Sequence, residues 1–197
     1  SLATVSFSSC SIIGSYTFYG CSKLTALSFP NLQTIGVSAF AYCSSLETVN
    51  FPSVQTISSH AFRYCSGLTT VSFPNATYIG SYAFYYCSGL TTASFSNVIT
   101  IGSSAFQYCF SLETISFPKL SSIAANAFSS CYHLLSFYVL GSSVPTITST
   151  AFNGTPIGGT TTYTSGAYGS IFVPSSLYDS YITATNWSTY SARIVSV

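Results

Sequence analysis

Cysteine recurs along this chain with a constant step of 22 residues, and each of these cysteines follows a phenylalanine by three residues. Zinc sites use closely spaced pairs of cysteines, so one thiol per repeat predicts no metal centre. Neighbouring thiols in a stacked file lie within range of a disulfide, but their side chains point the same way, which favours buried free thiols. Cys10 aligns with Leu32, so we expect it in the core as well. The six regularly spaced positions are Cys21, Cys43, Cys65, Cys87, Cys109 and Cys131.

Groups suited to acid–base or nucleophilic catalysis are few. The only carboxylates are Glu47, Glu113 and Asp179, and the two histidines, His60 and His133, occupy unrelated positions. Glu47 and Glu113 share a repeat position but lie three repeats apart, on the order of 14 Å at the spacing of β-strands, which is too far for the carboxylate pair of a glycosidase. Nothing around Asp179 or His133 resembles a nucleophile elbow. We therefore predict that the chain is not an enzyme and that it uses no cofactor.

The elements that carry these residues form a repeat. A fixed step over six copies predicts a solenoid in which each copy packs on its neighbours. Within one copy, residues 70–73 alternate polar and apolar side chains, which is typical of a short strand with Val71 and Phe73 facing inward. Pro74 lacks an amide hydrogen and ends the strand. Stacked copies should therefore extend a parallel sheet.

The second half of each copy suggests a helical turn. Ala83, Phe84 and Cys87 fall at spacings that place them on one helical face. Ser81 is a suitable N-cap, and Gly89 is suited to the C-terminal end of such a turn.

The register Leu-x-x-Val-x-Phe-Pro-x-Leu-x-x-Ile-x-x-x-Ala-Phe-x-x-Cys resembles the BspA-type leucine-rich repeats of bacterial and protist surface proteins. Six full copies fill residues 1–133, and residues 134–197 hold a degenerate seventh copy and a sequence similar to the strand, proline and helix that close many such arrays. The resemblance implies an α/β repeat fold, a right-handed leucine-rich-repeat solenoid of short parallel strands and short helical turns with a C-terminal cap. It also implies a recognition or adhesion module at the cell surface or outside the cell, without catalysis.

Composition limits the partners. Only 4% of residues are charged, the net charge is +1, and Lys23, Arg63, Lys119 and Arg193 lie at different repeat positions, so they form no basic stripe for nucleic acid. Apolar runs are far shorter than the roughly 20 residues that a membrane-spanning helix needs, which predicts no membrane insertion. Because the first copy has no preceding cap, we expect further repeats upstream or self-association at that open strand edge.

Two files of equivalent side chains are candidate binding surfaces. The first is a strand face of hydroxyl and amide groups that suits a protein or glycan ligand, although small polar and β-branched residues also simply suit an exposed strand. The second is a tyrosine file that suits interfaces or sugars, the alternative being a structural stack of rings. The strand face comprises Thr48, Thr70, Thr92 and Thr114 with Asn50, Ser72, Ser94 and Ser116, and the tyrosine file comprises Tyr42, Tyr64, Tyr86 and Tyr108.

Three functional hypotheses follow. The first is a recognition module that binds a protein or glycan through the Thr/Ser strand face. The second is a structural spacer without a ligand of its own, which the near-identity of the copies supports. The third is an ice-binding array of regular hydroxyl rows.

Overall fold

The computed structural model describes residues 3–159 and 168–197. In these ranges the chain forms short strands that fall into two series, one of three or four residues and one of two residues. The longer strands are β1 (Thr4–Ser6), β3 (Ala26–Ser28), β5 (Thr48–Asn50), β7 (Thr70–Ser72), β9 (Thr92–Ser94), β11 (Thr114–Ser116), β13 (Ser136–Tyr138), β15 (Ser170–Val173) and β16 (Ile194–Ser196). The shorter strands are β2 (Ile12–Ile13), β4 (Thr34–Ile35), β6 (Thr56–Ile57), β8 (Tyr78–Ile79), β10 (Thr100–Ile101), β12 (Ser122–Ile123) and β14 (Thr146–Ile147).

All strand pairs are parallel and keep the register of the repeat. The longer strands form three consecutive sheets, β1-β3, β5-β7-β9 and β11-β13-β15-β16, and the shorter strands form one seven-stranded sheet from β2 to β14. Thr48 pairs with Thr70 and Thr70 with Thr92, so a step of 22 residues corresponds to one strand in the sheet. The predicted repeat solenoid is therefore confirmed. The seven-stranded sheet was not predicted, because two residues are too few to show an alternating pattern.

The core is a continuous column of side chains from three segments of each copy. In one copy Val71 comes from the long strand, Ile79 from the short strand, and Phe84 from the segment that follows, and all three are fully buried. Phe84 lies 5.4 Å from Phe62, ring centroid to ring centroid, and the two rings are 4° from parallel. The same stacking continues from Phe18 to Phe152. Offset stacked rings favour association by about 0.5–1.5 kcal/mol beyond the burial of their surface.

The segment that we expected to be a helical turn consists instead of successive turns with two left-handed residues per copy. In one copy these are Tyr82 and Tyr86, each with φ of 58°. A left-handed residue breaks the helical path and directs backbone N–H groups toward the next copy, where Phe62 N–H donates to the Ala83 carbonyl at 2.8 Å. The expected capping roles of Ser81 and Gly89 therefore do not apply. Gly89 does not have a positive φ; an added Cβ would lie 2.7 Å from the Ser66 carbonyl oxygen of the preceding copy.

Helical residues in the described ranges occur only near the C-terminus. Pro174 follows β15 and precedes a 3-10 helix (Ser175–Leu177), helix α1 (Tyr178–Thr183) and a second 3-10 helix (Ser188–Arg193). This order agrees with the strand, proline and helix expected there. The buried Trp187 donates its indole N–H to the Pro145 carbonyl at 2.6 Å, which joins this segment to the last short strand. The division at residue 133 stays a prediction.

Candidate binding surfaces

The Thr/Ser face lies on the outer side of the longer strands. Parallel pairing places Thr48, Thr70 and Thr92 side by side in one sheet, with the row Asn50, Ser72 and Ser94 beside them. The third pair of this face, Thr114 and Ser116, lies on β11, the first strand of the next sheet. The side chains of Thr70 and Ser72 are half-buried and the other six are exposed. The structure thus brings together three of the four copies predicted for this face in one hydrogen-bonded sheet.

The threonine row has one interruption toward the N-terminus. Ala26 pairs with Thr4 at the position that threonine occupies in the later copies. The uninterrupted threonine row therefore extends from β5 to β11, and serine takes the same position in the next two strands, at Ser136 and Ser170.

The tyrosine file forms a stack on the turn side of the solenoid. Ring centroids lie 4.9 Å apart between Tyr42 and Tyr64, 5.2 Å between Tyr64 and Tyr86, and 5.6 Å between Tyr86 and Tyr108. All four residues are left-handed, with φ between 58° and 65°. Tyrosine rarely adopts this conformation without support from its surroundings, so the packing of these rings contributes to the turn. The stack predicted as the structural alternative is therefore present.

The rings are nevertheless not enclosed. Tyr42 and Tyr86 are 38% and 37% exposed, and further rings extend the patch beyond the file. Tyr85 lies 5.5 Å from Tyr64 and 5.4 Å from Tyr108, and Phe110 lies 5.4 Å from Tyr86. We call this surface the aromatic face; its members are Tyr42, Tyr64, Tyr85, Tyr86, Tyr108 and Phe110. An exposed patch of tyrosines has the composition of a binding surface as well as of a structural stack.

A polar groove along the seven-stranded sheet was missed by the sequence analysis. It encloses about 1020 Å³, and its lining includes Gln33, Gln55, Thr56, Thr77, Asn97 and Lys119. The side-chain amide of Asn97 donates to the Pro74 carbonyl at 2.7 Å, and Lys119 Nζ donates to the Asn97 side-chain oxygen at 2.6 Å. The sequence signal for this groove was the recurrence of Gln-Thr-Ile at residues 33–35 and 55–57.

The cysteine file is a part of the core. Five of the six regularly spaced cysteines are buried, and Cys21 and Cys10 are half-buried, so Cys10 is less enclosed than predicted. Each buried thiol donates to the carbonyl of the phenylalanine 25 residues earlier, as Cys65 does to Phe40 at 3.1 Å. Burial raises the pKa of the Cys131 thiol to about 12, which keeps it protonated and unreactive at neutral pH. The prediction of free thiols in these positions agrees with the unpaired sulfur atoms of the structure.

Within residues 3–159 and 168–197 no three histidine, cysteine or acidic side chains come close enough together to hold a metal ion. The same ranges contain no helix that is long and apolar enough to cross a membrane. That the chain is not an enzyme stays a prediction.

Comparison with known families identifies the family to which the repeats belong. The model of the BspA type leucine rich repeat region matches six copies, over residues 1–99 and 33–158. The chain belongs to this family. The BspA-type repeat is a scaffold for protein interaction rather than for catalysis, and it provides the frame for the surfaces described above.

Two solved structures resemble the BspA-type chain. A leucine-rich repeat protein from Bacteroides ovatus is 22% identical with a TM-score of 0.66, and the match covers 100% of this chain and 54% of that protein. A leucine rich cell surface protein from Faecalibacterium prausnitzii is 20% identical with a TM-score of 0.59, and the match covers 96% of this chain and 62% of that protein. These likenesses show the shared fold. The chain spans little more than half the length of these relatives. A search of curated proteins found no match.

Proposed function

We propose that this BspA-type chain is a cell-surface or secreted recognition module that binds a protein, or else a glycan, through its Thr/Ser face. The observation that carries this proposal is the in-register row of Thr48, Thr70 and Thr92 on adjacent parallel strands. Such rows place hydroxyl groups about 4.8 Å apart, the distance between neighbouring strands, so a ligand that lies across the strands meets a regular series of hydrogen-bonding groups. The surface location is supported by the family and by the name of the Faecalibacterium relative.

The low charge of the chain also supports a neutral contact surface. Both rows of the Thr/Ser face are uncharged, so a ligand would be held by hydrogen bonds and shape rather than by long-range attraction. Binding through many equivalent hydroxyls depends on a regular scaffold, which the stacked phenylalanine core provides.

The test is a binding screen of the purified chain against host matrix glycoproteins and a glycan array. The variant Thr70→Lys, Thr92→Lys places two charges on the Thr/Ser face, and Thr34→Lys, Thr56→Lys is the matched control on the seven-stranded sheet. Far-ultraviolet circular dichroism and thermal melting establish that both variants fold. We expect the first variant to lose at least tenfold in affinity and the control to bind as the unmodified chain does.

The alternatives have their own outcomes. Loss of binding in the control variant alone would indicate that the ligand binds in the polar groove, which Thr34 and Thr56 line. Absence of binding by the unmodified chain would favour the spacer. The ice-binding hypothesis predicts thermal hysteresis at millimolar protein, and no hysteresis at that concentration would reject it. Ala26 makes the hydroxyl row imperfect, which counts against this hypothesis.

A further inference from the structure

Arg63 is the only charged side chain among the contacts of the aromatic face in the described part of the chain. Its guanidinium carbon lies 5.0 Å from the ring centroid of Tyr64 and 5.3 Å from that of Tyr85. The two rings also contact each other, with centroids 5.5 Å apart, so the planar cation lies against the Tyr64–Tyr85 pair. The faces of these rings do not accept hydrogen bonds from the guanidinium N–H groups.

One of those donors is already unsatisfied. The Nε atom of Arg63 is buried and has no hydrogen-bond partner among the described residues. A buried donor without a partner costs free energy, and for a charged group the cost is larger. The carboxylates of the chain lie elsewhere: Glu47 and Glu113 precede long strands, and Asp179 is in helix α1. Because Nε itself is buried, an acceptor from outside the chain would pair with the other N–H groups of the half-buried Arg63, whose charge no described carboxylate neutralises.

The neighbours of Arg63 are also suited to an anion. The ring centroid of Tyr85 lies 5.5 Å from that of Tyr64 and 5.4 Å from that of Tyr108. All three residues carry phenolic hydroxyls, which can donate hydrogen bonds. Burial and the nearby Tyr64 and Tyr108 raise the pKa of Tyr85, so its hydroxyl stays protonated. Burial and the charge of Arg63 lower the pKa of His60, so this imidazole is neutral at pH 7. The cluster thus offers one fixed positive charge and several neutral donors.

The exposed rings add a second recognition element. Tyr42 and Tyr86 flank this cluster along the file and present about a third of their surface to solvent. Flat aromatic rings stack on the C–H faces of sugar rings, and a guanidinium pairs in a bidentate manner with a carboxylate or sulfate. An acidic peptide would use the cation but would leave the row of rings without a role.

We propose that the aromatic face binds an acidic sugar, with the sugar's carboxylate or sulfate on Arg63 and its ring on Tyr42 or Tyr86. This site is separate from the Thr/Ser face, so either can fail in a test while the other stands. The charged group can come from a sialic or uronic acid or from a sulfated hexose, and the chemistry at Arg63 is the same for each.

The test uses calorimetric titration of the full chain with a sialylated trisaccharide, a sulfated galactose disaccharide and neutral lactose. We expect at least one acidic sugar to bind about tenfold or more tightly than lactose, and Arg63→Gln to remove that preference. Arg63→Lys should retain part of it, because the charge stays while the planar fork is lost. Lys119→Gln removes the same charge from the polar groove and should change nothing. Comparison of the two acidic probes identifies the preferred anion.

Several results would overturn the proposal. They are equal binding of acidic and neutral sugars, unchanged binding by a folded Arg63→Gln variant, or no binding of any sugar at millimolar concentration. Binding of polyglutamate with none of the sugars would likewise reject it, because it would assign the face to an acidic protein. The Thr70→Lys, Thr92→Lys variant should keep its acidic-sugar binding, which separates this site from the one on the strands.

Discussion

The cysteine of each copy shows how one residue type can combine a small apolar volume with a polar bond. In the five copies that hold Cys43 to Cys131, the thiol lies beside the phenylalanine stack and donates to a backbone carbonyl of the preceding copy, as Cys131 does to Phe106 at 3.0 Å. Serine would make a stronger bond at a higher cost of burial, and alanine would make none. The file is therefore a structural feature rather than a reactive one.

Alkaline pH should expose this role. The pKa of the Cys131 thiol is raised by burial from 9.0 to about 12 in the folded chain. Because the unfolded chain loses the proton first, this contribution to stability is complete below pH 9 and falls as pH rises toward 12. We expect the free energy of unfolding to fall by about 1.4 kcal/mol per pH unit more steeply in the unmodified chain than in Cys131→Ala.

Urea unfolding at pH 7, 9, 10 and 11 measures this difference, and the tyrosines, present in both chains, cancel in the comparison. At pH 7 we expect Cys131→Ala to be less stable than the unmodified chain, because removal of the sulfur leaves a cavity in the core. The cost of this cavity does not depend on pH. Equal slopes above pH 9 would show that the thiol ionises in the folded chain as easily as in the unfolded one.

At the scale of the elements, the sequence predicted the long strands and their register but not the turns. Val71 and Phe73 alternate with polar residues, and this pattern directly reports a strand. The spacing of Ala83, Phe84 and Cys87 is compatible with a helix, and it is equally produced by turns that direct the same side chains inward. The deciding fact was the left-handed conformation of Tyr82 and Tyr86, which tyrosine adopts here because neighbouring copies hold it.

Of the candidate binding surfaces, too, one could be predicted from the sequence and others could not. The Thr/Ser face was predictable, because period-2 alternation places its residues on the outer side. Arg63 was only noted as lying off any basic stripe, since its contacts with Tyr64 and Tyr85 depend on how the turns stack. The polar groove depends on a two-residue strand, which is too short for a period to be recognised.

Gly80 lies so close to the backbone of the preceding copy that a methyl group at this position should lower the stability of the chain. An added Cβ would lie 2.6 Å from the Ser59 nitrogen of the preceding copy, and Gly80 N–H donates to the Ile57 carbonyl at 2.8 Å. Ala124 occupies the same repeat position, and its bond is longer, at 3.0 Å. We expect Gly80→Ala to lower the free energy of unfolding by about 1–3 kcal/mol, because the copies must move apart.

The matched control is Gly14→Ala in the first copy. There the nearest atom to an added Cβ is the Thr17 hydroxyl at 3.4 Å, so the change should stay within about 0.5 kcal/mol. Urea unfolding of the two variants provides the comparison. Similar stability of both would mean that the sheets adjust to a side chain without loss.

At the scale of the whole molecule, stability comes from coverage of each copy by the next. The equivalent phenylalanines Phe51 and Phe73 are 1% and 0% exposed in interior copies, whereas Phe7 in the first copy is 58% exposed. Phe7, Phe18 and Val5 line an apolar hollow of about 360 Å³ at this end. A solenoid of this kind behaves as a row of units joined by interfaces, and the described residues leave the outer side of the first copy uncovered.

An added repeat should cover that end and stabilise the chain. A second copy of residues 23–44 joined ahead of Ser1 keeps the 22-residue step, and it would bury Phe7 and Phe18. Full burial of one such side chain is worth about 1.5–3 kcal/mol, so we expect higher urea and thermal midpoints with a single transition. The control carries serine in the added copy at the positions of Phe29 and Phe40, and it should give no gain in stability.

A second copy of the chain is the other candidate to cover this end, through pairing at the open strand edge. If such pairing occurs, the added repeat should shift the association to higher protein concentration. Small-angle scattering across a concentration series measures this, and monomers at every concentration would contradict the pairing.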